Sequence, residues 1–302
     1  MPSGIDGVAA SARSSGGEGR GGRRRSPFFE RAAHDRVFTV TRVVAVVILP
    51  FLVIAAFLLY AFPTRTGELF AWPIDPPLSA YLLASAYVGG VWFFVRVAAG
   101  AAWHRVRHGF PAVVVFAGAL LIATLLHLDR FSQNLSFSTW IALYATTPFV
   151  VAALAVVQAR QDPRVPDADD RPIPRPARFA VAAIGLAALA FGVLLFTMPQ
   201  LGVQNWAWTL TPLTARVTGA VLTLTGVVNV ALLWDARWSA FRVLFQAQLL
   251  SLAGICVSLL LRRADLLWDR PLTAAFLCLI VVALVVYGAF TVWCEARSRR
   301  GR

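Results

Sequence analysis

Five ionisable residues able to hold a polar ligand or relay a proton fall in two short stretches of an otherwise apolar chain. Arg65, Glu68 and Asp75 lie in FPTRTGELFAWPIDPPLSAY (62–81), and His127 and Asp129 lie in LLHLDRF (125–131). A guanidinium, three carboxylates and an imidazole that titrates near neutrality make a ligand or proton site at one mouth of the protein, with His127 as its pH-responsive member. The plainer reading is an Asp129–Arg65 ion pair with His127 capping a helix end. His-x-Asp is too common a spacing to indicate a metal on its own. The apolar runs also contain Asn229, Gln246 and Gln248, whose amides should face protein rather than lipid. Cys256, Cys278 and Cys294 match no metal or redox spacing and read as small apolar residues. No phosphate-cradling Gly loop, nucleophile elbow or metalloprotease motif occurs, so neither a cofactor nor a metal is implied.

The elements that must position these residues are membrane helices. Of 302 residues, 58% are hydrophobic and only 14% charged, whereas about 25% charged is usual in a soluble domain. The apolar residues gather into eight runs, 40–62, 78–100, 111–128, 137–158, 179–198, 213–234, 242–261 and 272–294. At ~1.5 Å per residue each is close to the thickness of a hydrocarbon core. Such long continuous runs satisfy their backbones in lipid only as helices. Composition thus excludes a soluble enzyme, a disordered chain and a disulfide scaffold. Ionisable groups are nearly absent from the middle of the runs, which argues against a proton-driven antiporter with an embedded carboxylate.

All 28 basic residues are arginine, and the net charge is +13. The arginines sit in tails and short loops beside the apolar runs, so membrane topology explains them and nucleic-acid binding is not inferred. With the N-terminus inside, 22 arginines fall on the cytoplasmic side and six outside. Both termini are therefore expected in the cytoplasm of a cell that carries this multi-pass protein in its plasma membrane. The Arg/Gly/Ser-rich tail 1–36 should be largely disordered. It does not read as a signal peptide, because its apolar stretch begins late, near Val37, and runs too long.

Arg42 and Arg178, Pro63 and Pro199, Ala71-Trp72 and Ala207-Trp208, Pro76 and Pro212, Gly90 and Gly226, Gly118 and Gly254, and Asp129 and Asp265 are all separated by 136 residues. This repeat implies two parallel tandem four-helix halves, 37–158 and 178–295. A Pro- and charge-rich cytoplasmic linker, 159–177, should be extended and solvated between them, and a basic tail, 296–302, follows the second half. Trp72, Trp206 and Trp208, flanked by prolines, read as interfacial anchors at headgroup level. The alternative is that their loops fold inward and cap a cavity between the halves. The inner segment His104-Arg105-Val106-Arg107-His108 could hold anionic lipid headgroups.

The segments Phe62-Pro63-Thr64-Arg65-Thr66, Leu69-Phe70-Ala71-Trp72-Pro73-Ile74 and Pro76-Pro77-Leu78-Ser79-Ala80 resemble a signature of uncharacterised integral membrane proteins from high-GC Gram-positive bacteria. Leu125-Leu126-His127-Leu128-Asp129-Arg130-Phe131 is similar to a second one. The resemblance implies a membrane location and no particular activity. Three functions remain open at this point. The protein could bind or transport a small solute or lipid between its halves, or it could be a non-catalytic scaffold or sensor component. The third reading is an outward-facing enzyme using Glu68, Asp75, His127 and Asp129.

Overall fold

A computed structural model describes residues 35–168, 170 and 172–299. Most of the expected N-terminal tail and the end of the basic C-terminal tail lie outside these residues. Among the described residues the chain is helical, with no β-strand and one isolated bridge between Arg36 and Ala102. The ten α-helices are α1 (Thr39–Ala61), α2 (Thr66–Leu69), α3 (Pro77–Ala98), α4 (Gly109–Leu125), α5 (Leu135–Gln158), α6 (Arg175–Thr197), α7 (Pro199–Asn205), α8 (Pro212–Val230), α9 (Arg242–Leu261) and α10 (Pro271–Arg299). Seven of them are long and apolar enough to cross a membrane, whereas α4, with 17 residues, is shorter.

Local chemistry fixes several helix starts. Proline occupies the first turn of α3, α6, α7 and α8, where its missing N–H removes no helical bond. Thr211 and Thr214 form a reciprocal capping box on α8, and the Asn134 side chain accepts from Phe137 N to cap α5. Pro50 and Pro148 fall inside α1 and α5.

Packing separates central from peripheral helices. In their most apolar windows, 67% of α3 and 56% of α8 is buried, against 28% for each of α1, α6 and α10. The peripheral helices expose whole apolar faces, including Val43, Val47, Ile54 and Phe57 on α1 and Val281, Val285 and Val292 on α10. Surfaces of this kind belong in lipid rather than in water.

α1 packs on α3 and α6 on α8, α4 pairs with α5 and α9 with α10, and α3 meets α9 while α8 meets α4. The tightest of these approaches rest on glycine. A Cβ on Gly226 would sit 2.5 Å from Leu189 Cβ, and one on Gly89 would sit 2.7 Å from the Ala247 carbonyl oxygen. Arg42 Nε donates to Ala98 O at the end of α3, while Arg178 Nε and Nη2 donate to Leu232 O and Leu233 O just past α8.

The segment between α5 and α6 is anchored to the protein at two points, while residues 163–166 between them are exposed. Asp162 and Ile173 are buried, and Ile173 N donates to Ala236 O. The cysteines are free thiols, with Cys294 buried and Cys278 on an exposed face.

Candidate functional site

The charges of the 62–81 and 125–131 stretches do not assemble as expected. Arg65 precedes the short α2 and binds Glu68 through two hydrogen bonds of 3.0 and 2.8 Å, and both side chains are exposed. Asp129 pairs with its neighbour Arg130 at 3.0 Å, also in the open, and Asp75 is exposed. The expected pairing of Asp129 with Arg65 is therefore replaced by two local pairs, which short sequence separation favours entropically. His127 bonds to none of the three loop residues. Arg216, at the start of α8, donates from Nη1 to His127 Nε2 at 2.6 Å. Partial burial first, and the guanidinium second, hold this imidazole below its usual titration range. Glu68, Asp129 and His127 thus each pair with a different arginine rather than with one another. Among the described residues, no three His, Cys, Asp or Glu side chains come together as a metal site.

The 63–77 loop does meet the segment after α4, but through neutral groups. Ser132 N donates to Ala71 O, Ser132 Oγ to Gly67 O, Asn134 Nδ2 to Phe70 O and Ser136 Oγ to Leu69 O, all at 2.8–3.0 Å. Leu267 N donates in the same way to Ala207 O at 2.8 Å. These bonds hold both tryptophan loops inward. Trp72 is buried among Phe70, Phe131 and Trp140. Trp206 and Trp208 are buried against each other and Phe276, and Trp208 Nε1 donates to Ser79 Oγ at 2.9 Å. The reading of these three tryptophans as anchors facing lipid headgroups is corrected accordingly: their rings fill the protein interior.

Beneath the loops, between α3 and α4 on one side and α8 and α9 on the other, lies a cavity of about 190 Å³. Its wall is almost wholly apolar, with Leu82, Phe94, Phe116 and Ile255 among its members and Trp206 at its margin. Its polar side chains are Tyr87 and Tyr144, whose buried hydroxyls are 2.9 Å apart, Thr147, Thr218, Thr225, Ser251 and Gln248. Gln248 Nε2 donates to Asn229 Oδ1 at 3.1 Å, and Asn229 Nδ2 donates to Tyr287 OH at 2.6 Å. Gln246, one turn face away on α9, accepts from Trp92 Nε1 at 3.2 Å. Trp92 and Gln246 line a separate polar cleft of about 610 Å³, together with Arg96, Arg242 and Glu295. Because Phe93 and Ala247 line the apolar cavity, the α3–α9 contact forms the partition between the two spaces.

Beside this cleft, where the loops 99–108, 159–174 and 231–241 meet, is an ion-pair network that sequence reasoning missed. Arg237 forks onto Asp162 at 2.8 and 2.7 Å and onto Asp235 at 3.0 and 2.7 Å. Arg107 touches both carboxylates, and His108 Nε2 lies 2.9 Å from Asp235 Oδ2 with its ring stacked on Phe241. Burial alone would raise the Asp162 carboxyl. Its bonds from Arg237 and the Arg164 amide, with the nearby guanidinium charges, outweigh burial and bring it down to about 2. Asp235 is likewise held well below the carboxylate range, since bonds from His108 and Arg237 exceed its burial penalty. Burial lowers His108, and the Asp235 bond offsets this only in part. Arg105 pairs with Asp167 at 2.7 Å. The charges in the 104–108 segment are therefore already matched by protein carboxylates. The sequence signal for this network is Asp235-x-Arg237 in a short loop and a carboxylate-bearing linker elsewhere in the chain.

Apolar outer faces, buried central helices and charge gathered at the helix ends define a multi-pass helical membrane protein. No family model, curated protein or solved structure matches the chain.

Proposed function

We propose that the protein spans the plasma membrane eight times as two parallel four-helix halves with both termini cytoplasmic, and that it binds a small apolar or lipid-like molecule between the halves. The recurrence of helix partners after a shift of five elements supports the duplication, as do the matching roles of Arg42 and Arg178 and of the Ala71 and Ala207 carbonyls. The excess of arginine at the end bearing Arg237 supports the orientation. Anionic headgroups of that leaflet would meet the chain at the polar cleft, where Arg96 and Arg242 lie.

The single observation behind the binding function is the apolar cavity lined by helices of both halves. An apolar occupant would cover the nearly all-apolar wall of this space. The test is mass spectrometry of apolar molecules that copurify with the wild-type protein and with Ala86→Phe, which fills the cavity. A molecule near one-to-one stoichiometry in the wild type, lost from a folded Ala86→Phe, supports binding. Identical extracts from the two proteins would sink it and leave the scaffold reading.

A further inference from the structure

We infer that the molecule bound in the cavity is neutral there and presents one hydrogen-bond donor, a hydroxyl or an N–H, to Gln248 Oε1. This inference rests on the proposed cavity-binding function and adds the chemical class of the ligand. Gln248 is 8% exposed and lines the cavity on the face of α9 that also carries Leu244 and Leu252, one turn before and after it. Its Nε2 donates to Asn229 Oδ1, and Asn229, fully buried outside the cavity wall, donates in turn from Nδ2 to Tyr287 OH. The oxygen is therefore the end of the amide left for the cavity, and it has no hydrogen-bond partner. Trp206 Nε1 is the other unpartnered buried polar atom among the lining side chains, a donor that a ligand hydroxyl can also serve as acceptor. Buried acceptors of this kind are few in native proteins, because an unmet one forfeits its hydration without compensation. A ligand donor supplies the missing partner.

The other properties of the ligand follow from the wall. No Asp, Glu, Arg or His lines the cavity, so an ionised group placed there would lose its hydration without a counter-charge. The volume of 190 Å³ compares with the roughly 150 Å³ engineered cavity that accepts benzene. The cavity thus takes a small ring, a short branched chain, or the donor-bearing end of a longer apolar molecule.

Phenol and toluene, which match in size and differ in the donor, are the probes. Binding to the full-length protein in detergent is measured calorimetrically, and binding that persists in Ala86→Phe is subtracted as micelle partitioning. The wild type is expected to bind phenol about tenfold more tightly than toluene, the upper range for one buried hydrogen bond. Gln248→Leu is expected to abolish that preference. The wild-type comparison stands by itself if Gln248→Leu does not fold. Equal binding of both probes overturns the donor inference while leaving the cavity-binding function intact. Binding of neither probe by protein from which any copurifying molecule has first been removed, as for a space holding only water, overturns both.

Discussion

Replacing Arg237 by alanine tests whether the ion network around it holds the loops together. Arg237 is 9% exposed, and the carboxylates it bridges, Asp162 and Asp235, are 0% and 6% exposed. Removing one partner of a buried pair typically costs about 3–5 kcal/mol, because the remaining charge stays desolvated and unpaired. Arg107, in contact with Asp162 and 3.3 Å from Asp235, retains part of the compensation, so a loss of about 2–4 kcal/mol is expected. For a chain of this size that lowers the melting temperature by roughly 5–15 °C. The internal comparison is Arg65→Ala, which breaks an ion pair whose side chains are 56% and 67% exposed and should cost at most about 1 kcal/mol. The assay is size-exclusion chromatography after heating in detergent. Adding Asp162→Asn to Arg237→Ala should recover part of the loss by removing one stranded charge. An Arg237→Ala protein that melts no lower than Arg65→Ala would refute the reasoning.

Three further outcomes are expected. Stability should fall on acidification in two stages. His108 is favoured neutral in the folded state, so the first loss begins as pH drops below its ordinary 6.5. Asp162 is favoured ionised, so the second runs from about 3.8 towards 2, and a pH series of melting curves that rises with acid would contradict both signs. Gly226→Ala forces a Cβ against the Leu189 backbone and should destabilise the α6–α8 pair by about 1–3 kcal/mol. Gly118→Ala meets nothing within 4 Å and should be neutral or stabilising, so equal melting of the two variants would count against the close approach. A cysteine at Val165 should react with an impermeant maleimide only after cells are opened, and one at Asp129 should react in intact cells. The reverse pattern would invert the topology.

The helices were legible in the sequence because long apolar runs have one way to satisfy their backbones in lipid. The run 40–62 became Thr39–Ala61, and 213–234 became Pro212–Val230 followed by a short turn. The partners of the charged groups were not legible. Arg65 chose Glu68 three residues away, whereas His127 found Arg216 across 89 residues, a choice set by how α4 packs on α8. Asp162 stands in a stretch that reads as solvated linker, yet Arg107 and Arg237 bury it. Trp72 adjoins Pro73 and Trp208 lies four residues before Pro212, as surface anchors often do, and the bonds to Ala71 O and Ala207 O with the burial of the rings show that their loops turn inward. Tyr87 and Tyr144 gave no signal, because their pairing depends on two helices meeting 57 residues apart in sequence.

The most direct test of ligand binding between the halves is an electron cryomicroscopy structure of the wild-type protein in nanodiscs of native lipid. Non-protein density is expected in the space between α3, α4, α8 and α9, in contact with Gln248. A structure in which Phe94, Phe116 and Trp206 close together and leave no space there would contradict it.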